Sequence, residues 1–377
     1  MSPGIDRDGP IDPLPDIQAA PGSAGDNTGP RRHRRGGGGR GRFGGRGSRE
    51  RSMVPEAEFT SYYGRPIVKE SPWEADIPAY LFAGGLAGGS SLVAAAADLT
   101  GRPALRRAAR LGALGALSFS GAALVHDLGR PERFLHMLRV VKPTSPMSMG
   151  TWILTAYAPG AGLAALAELA RFVPARRRRG VLRLLGLLPV LERPAGLAAA
   201  ALAPALASYT AVLLADTATP SWHNGYRELP FVFVGSAAAA SAGLGLLTAP
   251  TAETGPLRTL ALGALTLELV AEHRMEQTMG VVAEPLHDGV AGRWMRAAKT
   301  LTVAGGVGVL VAGAVGPRAR PVAALSGAAL VAGSFCTRFG IFEAGQASAR
   351  DPKYVVVPQR ERIAREGSRA TSTPARG

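Results

Sequence analysis

The stretch with the most chemistry in it is His126-Asp127-Leu128-Gly129-Arg130-Pro131-Glu132-Arg133, followed closely by MLRVVKPTSPMSMGTW over Met137–Trp152. An imidazole, two carboxylates, several guanidiniums, Lys142, Thr144 and Ser145 stand together in one proline-punctuated connector. Apolar sequence flanks them on both sides. Such groups can hold and pass protons, donate hydrogen bonds to a carbonyl, or dock a charged partner. Further candidates gather at other segment ends: Trp73, Glu74, Asp76 and Tyr80; Trp222, His223 and Tyr226; Glu272 and His273. Glu268 stands deeper, inside an apolar run, where a carboxylate needs a partner, water or a proton. Plainer roles stay open for each. Trp73 and Tyr80 are also ordinary interfacial anchors. His126 also suits the C-terminus of a helix, and Arg130 and Arg133 suit a cap beside Asp127 and Glu132.

The elements that must position these residues are membrane helices. The mean hydropathy is only +0.10, yet residues 1–75 and 345–377 are polar and the middle is strongly apolar. Eight apolar segments read as spans: 77–97, 105–125, 148–172, 195–215, 230–249, 257–275, 298–316 and 321–342. Each is close to the ~20 residues a helix needs to cross the hydrocarbon core. None shows the alternation of a membrane strand. The expected fold is an all-α integral membrane bundle of about eight helices with disordered N- and C-terminal tails. Its expected divisions are a disordered tail over 1–55, a transmembrane domain over 56–345 and a polar tail over 346–377. Glu192-Arg193-Pro194 is expected to separate an interfacial piece, Val181–Leu191, from the fourth span.

An even number of spans puts both termini, and connectors two, four and six, on one side. That side collects nearly every candidate residue. The opposite side reads as arginine with few acids, in Arg102–Arg110 and Arg176–Arg179. Those short basic loops argue for a cytoplasmic position. The long basic N-terminal arm, which carries no apolar leader, argues the same for the termini. The termini are taken as cytoplasmic and the protein as multi-pass in the cell membrane. The formal net charge of +15 reads as topology and lipid contact. The tract RRHRRGGGGRGRFGGRG has Phe43 as its only aromatic, so it reads as a lipid-touching basic tail in preference to an RNA-binding segment.

Glycines Gly84/Gly88 and Gly85/Gly89 stand four apart in the first span, which suits close helix packing or room for a flat ligand. The single Cys336 excludes a disulfide framework and a cysteine-held iron–sulfur cluster built by this chain alone. His126, His136, His223, His273 and His287 lie at span ends and in connectors, not paired inside spans as a dihaem anchor requires. No haem or metal is expected in this chain.

The sequence resembles the NrfD/PsrC family, the polysulfide-reductase-type membrane anchors. The resemblance rests on Tyr62-Tyr63-Gly64-Arg65-Pro66 with Val68-Lys69, Trp73, Ile77–Phe82 and Gly84–Gly89. It continues through Asp127–Pro131 with Arg133-Phe134, Pro143–Ser148 and Gly150-Thr151-Trp152. It covers about residues 60–345. It implies an eight-helix anchor in a molybdopterin oxidoreductase, where a ferredoxin-like 4Fe-4S subunit exchanges electrons with a membrane quinone, expected to be menaquinone, in anaerobic respiration. Carried onto this chain, it puts Trp73, Asp76 and Tyr80 at the quinone head with His126 and Asp127 behind. Glu268, Glu272 and His273 are candidates for proton transfer. Arg130, Arg133, Lys142 and Ser145 are candidates for docking the iron–sulfur partner. Two other readings remain beside it: a secondary transporter, whose helices would break near Pro159 and Pro204, and a structural anchor without a quinone site.

Overall fold

The computed structural model describes residues 66–130, 132–173 and 186–372. The N-terminal tail and Arg176–Arg179 lie outside the described residues. Eight long helices fall on the eight expected spans: α1 (Asp76–Leu99), α2 (Pro103–Asp127), α4 (Pro146–Ala170), α5 (Leu188–Ala215), α7 (Leu229–Thr248), α8 (Gly255–Met279), α9 (Gly289–Val315) and α10 (Arg320–Arg350). Two short helices, α3 (Arg133–Met137) and α6 (Pro220–Asn224), lie in the second and fourth connectors, and α11 (Lys353–Ser372) follows the last span. There is no strand among the described residues.

Proline sets several of the starts. Pro103, Pro146, Pro256 and Pro321 stand in the first turns of α2, α4, α8 and α10, where a missing N–H costs nothing. Ser145 caps α4 by accepting from the Ser148 amide at 3.5 Å. Gly129 ends α2 with φ of 64°, a conformation open to glycine at little steric cost.

Seven of these helices are long and apolar enough to cross a membrane. The eighth, α8, has the same length as α2 but carries Arg258, Glu268, Glu272, His273, Arg274 and Glu276. It packs between α7 and α9, which takes its acidic face out of lipid. The bundle has two halves. Helices α1, α2, α4 and α5 form one, α7, α8, α9 and α10 the other, and α1 and α5 against α7 join them.

The glycine run of α1 is used for packing on three sides. A Cβ on Gly89 would stand 2.2 Å from Ser241 Oγ of α7, and one on Gly88 would stand 3.0 Å from the Ala203 carbonyl of α5. Gly84 faces Ser120 of α2. This removes the expectation of room for a flat ligand there, because neighbouring helices already occupy the space.

One other expectation is corrected, and two details are added at the C-terminal end. Glu192-Arg193-Pro194 does not break the chain, since α5 begins at Leu188 and runs through it. Glu192 and Arg193 are held in ion pairs to other helices, so their charges do not force an end. Helix α10 continues past the proposed boundary at 345 to Arg350. The C-terminal segment, expected as a disordered tail, is helical over Lys353–Ser372. Its start is tied to the loop before α9, where Lys353 pairs with Glu284 and Tyr354 donates to the same carboxylate at 3.4 Å. The hydrogen bond to Glu284 holds the Lys353 ammonium above its ordinary pKa.

Candidate functional site

The site forms where four helix ends meet on the side of the termini. Trp73 comes from just before α1 and Ile77 and Tyr80 from its start, while Leu124 and Asp127 come from the end of α2 and Leu128 from just after it. Met147, Thr151 and Leu154 come from α4, Tyr209 and Leu213 from α5, and Met137 from the connector. Together they enclose a cavity of about 70 Å³. Three of the five residues expected at a quinone head line it: Trp73, Tyr80 and Asp127. The other two stand one residue away and pair with each other. His126 Nδ1 and Asp76 Oδ2 are 2.8 Å apart, with the imidazole 80% exposed.

The second half of the bundle fixes Trp73. Its ring stacks on Trp222 with centroids 5.9 Å apart, and Trp222 packs in turn on Phe342. The Trp222 indole donates to the Ile341 carbonyl at 2.8 Å. The Gln346 amide donates to the carbonyls of Ser71 and Trp73 at 3.0 and 3.1 Å. Position 345 must be glycine for this ring to fit, since a Cβ there would meet the indole at 1.9 Å.

Tyr209 is the residue that sequence reasoning missed. It is 7% exposed, lines the cavity, and its hydroxyl has no hydrogen-bond partner among the described residues. A buried donor in that state is rare and calls for a ligand or water. Its ring packs closely on α4 at Gly150, where a Cβ would stand 2.2 Å from Cε2. The glycine of Gly150-Thr151-Trp152 is therefore the floor under Tyr209.

A second cluster lies in the other half. Glu268 is 2% exposed and accepts from Thr337 Oγ1 at 2.9 Å. Next to Thr337 on α10, Arg338 is 1% exposed, lies 3.7 Å over the Phe233 ring and donates to the Phe233 carbonyl at 2.8 Å. Glu268 Oε2 and Arg338 Nε and Nη1 have no partner among the described residues. Glu272 follows one turn on and is also buried. Glu276 comes a further turn on, 3.8 Å from the exposed His287. Carboxylates four apart share one helix face, so α8 carries a ladder from its interior towards the surface. His273 lies off this ladder and takes a hydrogen bond from Gln277 at 2.9 Å. Arg338 was legible in principle, as a cation inside the eighth apolar segment.

Of the docking candidates, Arg130 and Lys142 are exposed in the connector between α2 and α4. Ser145 is engaged as the α4 cap. The Arg133 side chain lies outside the described residues. The opposite end departs from expectation in one respect. It does hold acids, one of them fully buried and two partly so. Glu168 is fully buried and accepts from Arg106, Arg110 and Arg171 at 2.9–3.1 Å. Asp98 and Glu192 complete the network with Arg106, Arg110, Arg171 and Arg193.

No three His, Cys, Asp or Glu side chains converge as metal ligands among the described residues. Helices α4 and α5 run unbroken through Pro159 and Pro204, unlike the discontinuous helices of a transporter site.

A bundle of apolar helices with an aromatic-lined cavity where four of them end defines a multi-pass membrane protein. The family model described as "Polysulphide reductase, NrfD" matches residues 67–256, and the chain belongs to the NrfD family. That family supplies membrane subunits to molybdoenzyme complexes. The match spans the cavity and ends at the start of α8, before Glu268. A search of curated proteins finds no match to the chain.

Proposed function

We propose that the chain is the quinone-interacting membrane anchor of a molybdopterin/iron–sulfur oxidoreductase. It exchanges electrons between a ferredoxin-like 4Fe-4S subunit and the quinone pool, with protons supplied by its own side chains. The observation that carries this reading is the cavity. It joins a buried, unpartnered phenol, a second buried phenol, a stacked indole and a carboxylate at a membrane border. Those groups fit a planar ring with two carbonyls. The space is well below the ~300 Å³ of an ordinary ligand pocket, so the Met137 and Met147 side chains must swing aside to admit a ring. Methionine is suited to that adjustment.

A bound quinone supplies an acceptor for two electrons and two protons. Tyr209 and Tyr80 donate hydrogen bonds to its carbonyls, and Trp73 gives a flat wall. The Asp76–His126 pair holds an exchangeable proton at the rim, open to water. Arg130 and Lys142, exposed in the connector between α2 and α4, meet the iron–sulfur partner.

The test is quinone-dependent turnover in the assembled complex. Tyr209→Phe removes one donor and little volume and is expected to weaken quinone binding by about 1 kcal/mol, with more lost if a carbonyl is left unpaired. Asp76→Asn keeps the shape and removes a proton carrier, so turnover should fall more than apparent affinity. Assembled variants with wild-type kinetics at every quinone concentration would place the pocket elsewhere. Docking has its own readout. Arg130→Ala and Lys142→Ala should each reduce co-purification of the iron–sulfur subunit, and full retention by both would remove the connector as a docking site.

A further inference from the structure

Away from the cavity, a long apolar trench runs down the outer flank of α8. Two hollows, of about 410 and 650 Å³, meet at Pro256 and Leu260. The first lies between the C-terminal part of α1 and the start of α8, walled by Leu92, Val93, Ala96 and Leu257. The second is shallow and largely open, and it continues along α8 to Leu267. From Pro256 to Leu267 the helix rises roughly 17 Å, which is about half the ~30 Å hydrocarbon core. The trench therefore has the depth of one leaflet.

Its outer end is polar and cationic. Thr100 and Arg102 form the mouth. The ion pairs of this end engage Arg106, Arg107, Arg110, Arg171 and Arg193. Arg102 makes only a 3.4 Å contact to the Thr100 carbonyl, and no carboxylate pairs with it among the described residues. A guanidinium at headgroup level, above a groove one acyl chain long, is complementary to one kind of occupant.

We propose that this trench is a binding site for an anionic phospholipid, with the phosphate on Arg102 and one acyl chain laid along α8. The chain fills the gap between α1 and α8, on the lipid side of the half-bundle that carries the carboxylate ladder.

The test uses the full chain in nanodiscs of phosphatidylglycerol or phosphatidylcholine, then native mass spectrometry after detergent extraction. The wild-type chain should retain one phosphatidylglycerol in preference to phosphatidylcholine. Arg102→Gln should lower that retention about fivefold, the worth of one cation at an anionic surface. Ala96→Phe, on an exposed position, fills the groove without touching the arginine and should lower it as well. Arg318→Gln removes an exposed cation outside the trench and should leave retention unchanged. The proposal is overturned if Arg102→Gln and Ala96→Phe both retain the lipid. It is also overturned if Arg318→Gln weakens retention as much as Arg102→Gln, which would mean general charge attraction. Recovery of a quinone or a zwitterionic lipid from the trench would overturn it too. None of these readouts depends on quinone turnover.

Discussion

Glu268→Gln is expected to lower quinone-dependent turnover by about a hundredfold, the scale of a lost proton-transferring group, while the complex still assembles. The substitution keeps the shape and leaves an oxygen to accept from Thr337. It removes the group able to take up a proton at the inner end of the α8 ladder. The buried surroundings make the test sharp, because Glu268 Oε2 and two Arg338 nitrogens lack partners among the described residues. Such atoms mark either a hydrated proton site or a structural defect. A proton site predicts loss of turnover with near-normal thermal stability. A structural pair predicts the reverse, with Glu268→Gln unfolding early and turning over normally when folded. Glu272→Gln, one turn nearer the surface, should give the same kind of loss. Wild-type turnover in assembled Glu268→Gln complexes would remove α8 from the chemistry.

The sequence and the fold divide the explanation unevenly. All eight spans were legible, because ~20 apolar residues in a row have few other uses. Even α8 was legible, despite its charges, from the apolar residues between them. Trp73, Tyr80 and Asp127 were legible as a group because an even span count puts their helix ends on one side. Tyr209 was not. A tyrosine amid alanine and leucine looks like any packing aromatic, and only the fold shows that it lines the cavity with a hydroxyl that has no partner among the described residues. The break expected at Glu192-Arg193-Pro194 failed for a related reason. Charges end a helix when they must reach water, and here Arg110, Arg171 and Asp98 reach them instead. Helix α11 was hidden by composition, since its polar residues resemble a solvated tail until Lys353 and Tyr354 are seen on Glu284.

Glu168→Ala is expected to destabilise the protein more than any change in the cavity, by about 3–5 kcal/mol, the cost of breaking a buried ion pair from one side. Glu168 is fully buried and Arg110 is 4% exposed. Removing the carboxylate leaves the Arg110 guanidinium with Glu192 at 3.2 Å and Asp98 at 4.0 Å. The surrounding arginines then repel one another across the ends of α2, α4 and α5. Net attraction is not the main source of the cost, since desolvation opposes the pairing. The cost lies in stranding cations that the fold has already taken out of water. Arg110→Ala with Glu168→Ala should therefore recover part of the loss, because the most deeply buried cation of this network leaves with its partner. The measurement is thermal unfolding in detergent or nanodiscs, with both single variants and the double. If Glu168→Ala unfolds with the wild type, the network is an ornament of the membrane border. If the double variant is worse than either single one, each charge is held mainly by other members of the network. At the opposite end of the bundle from the cavity, these variants should leave the quinone affinity of any folded, assembled complex unchanged.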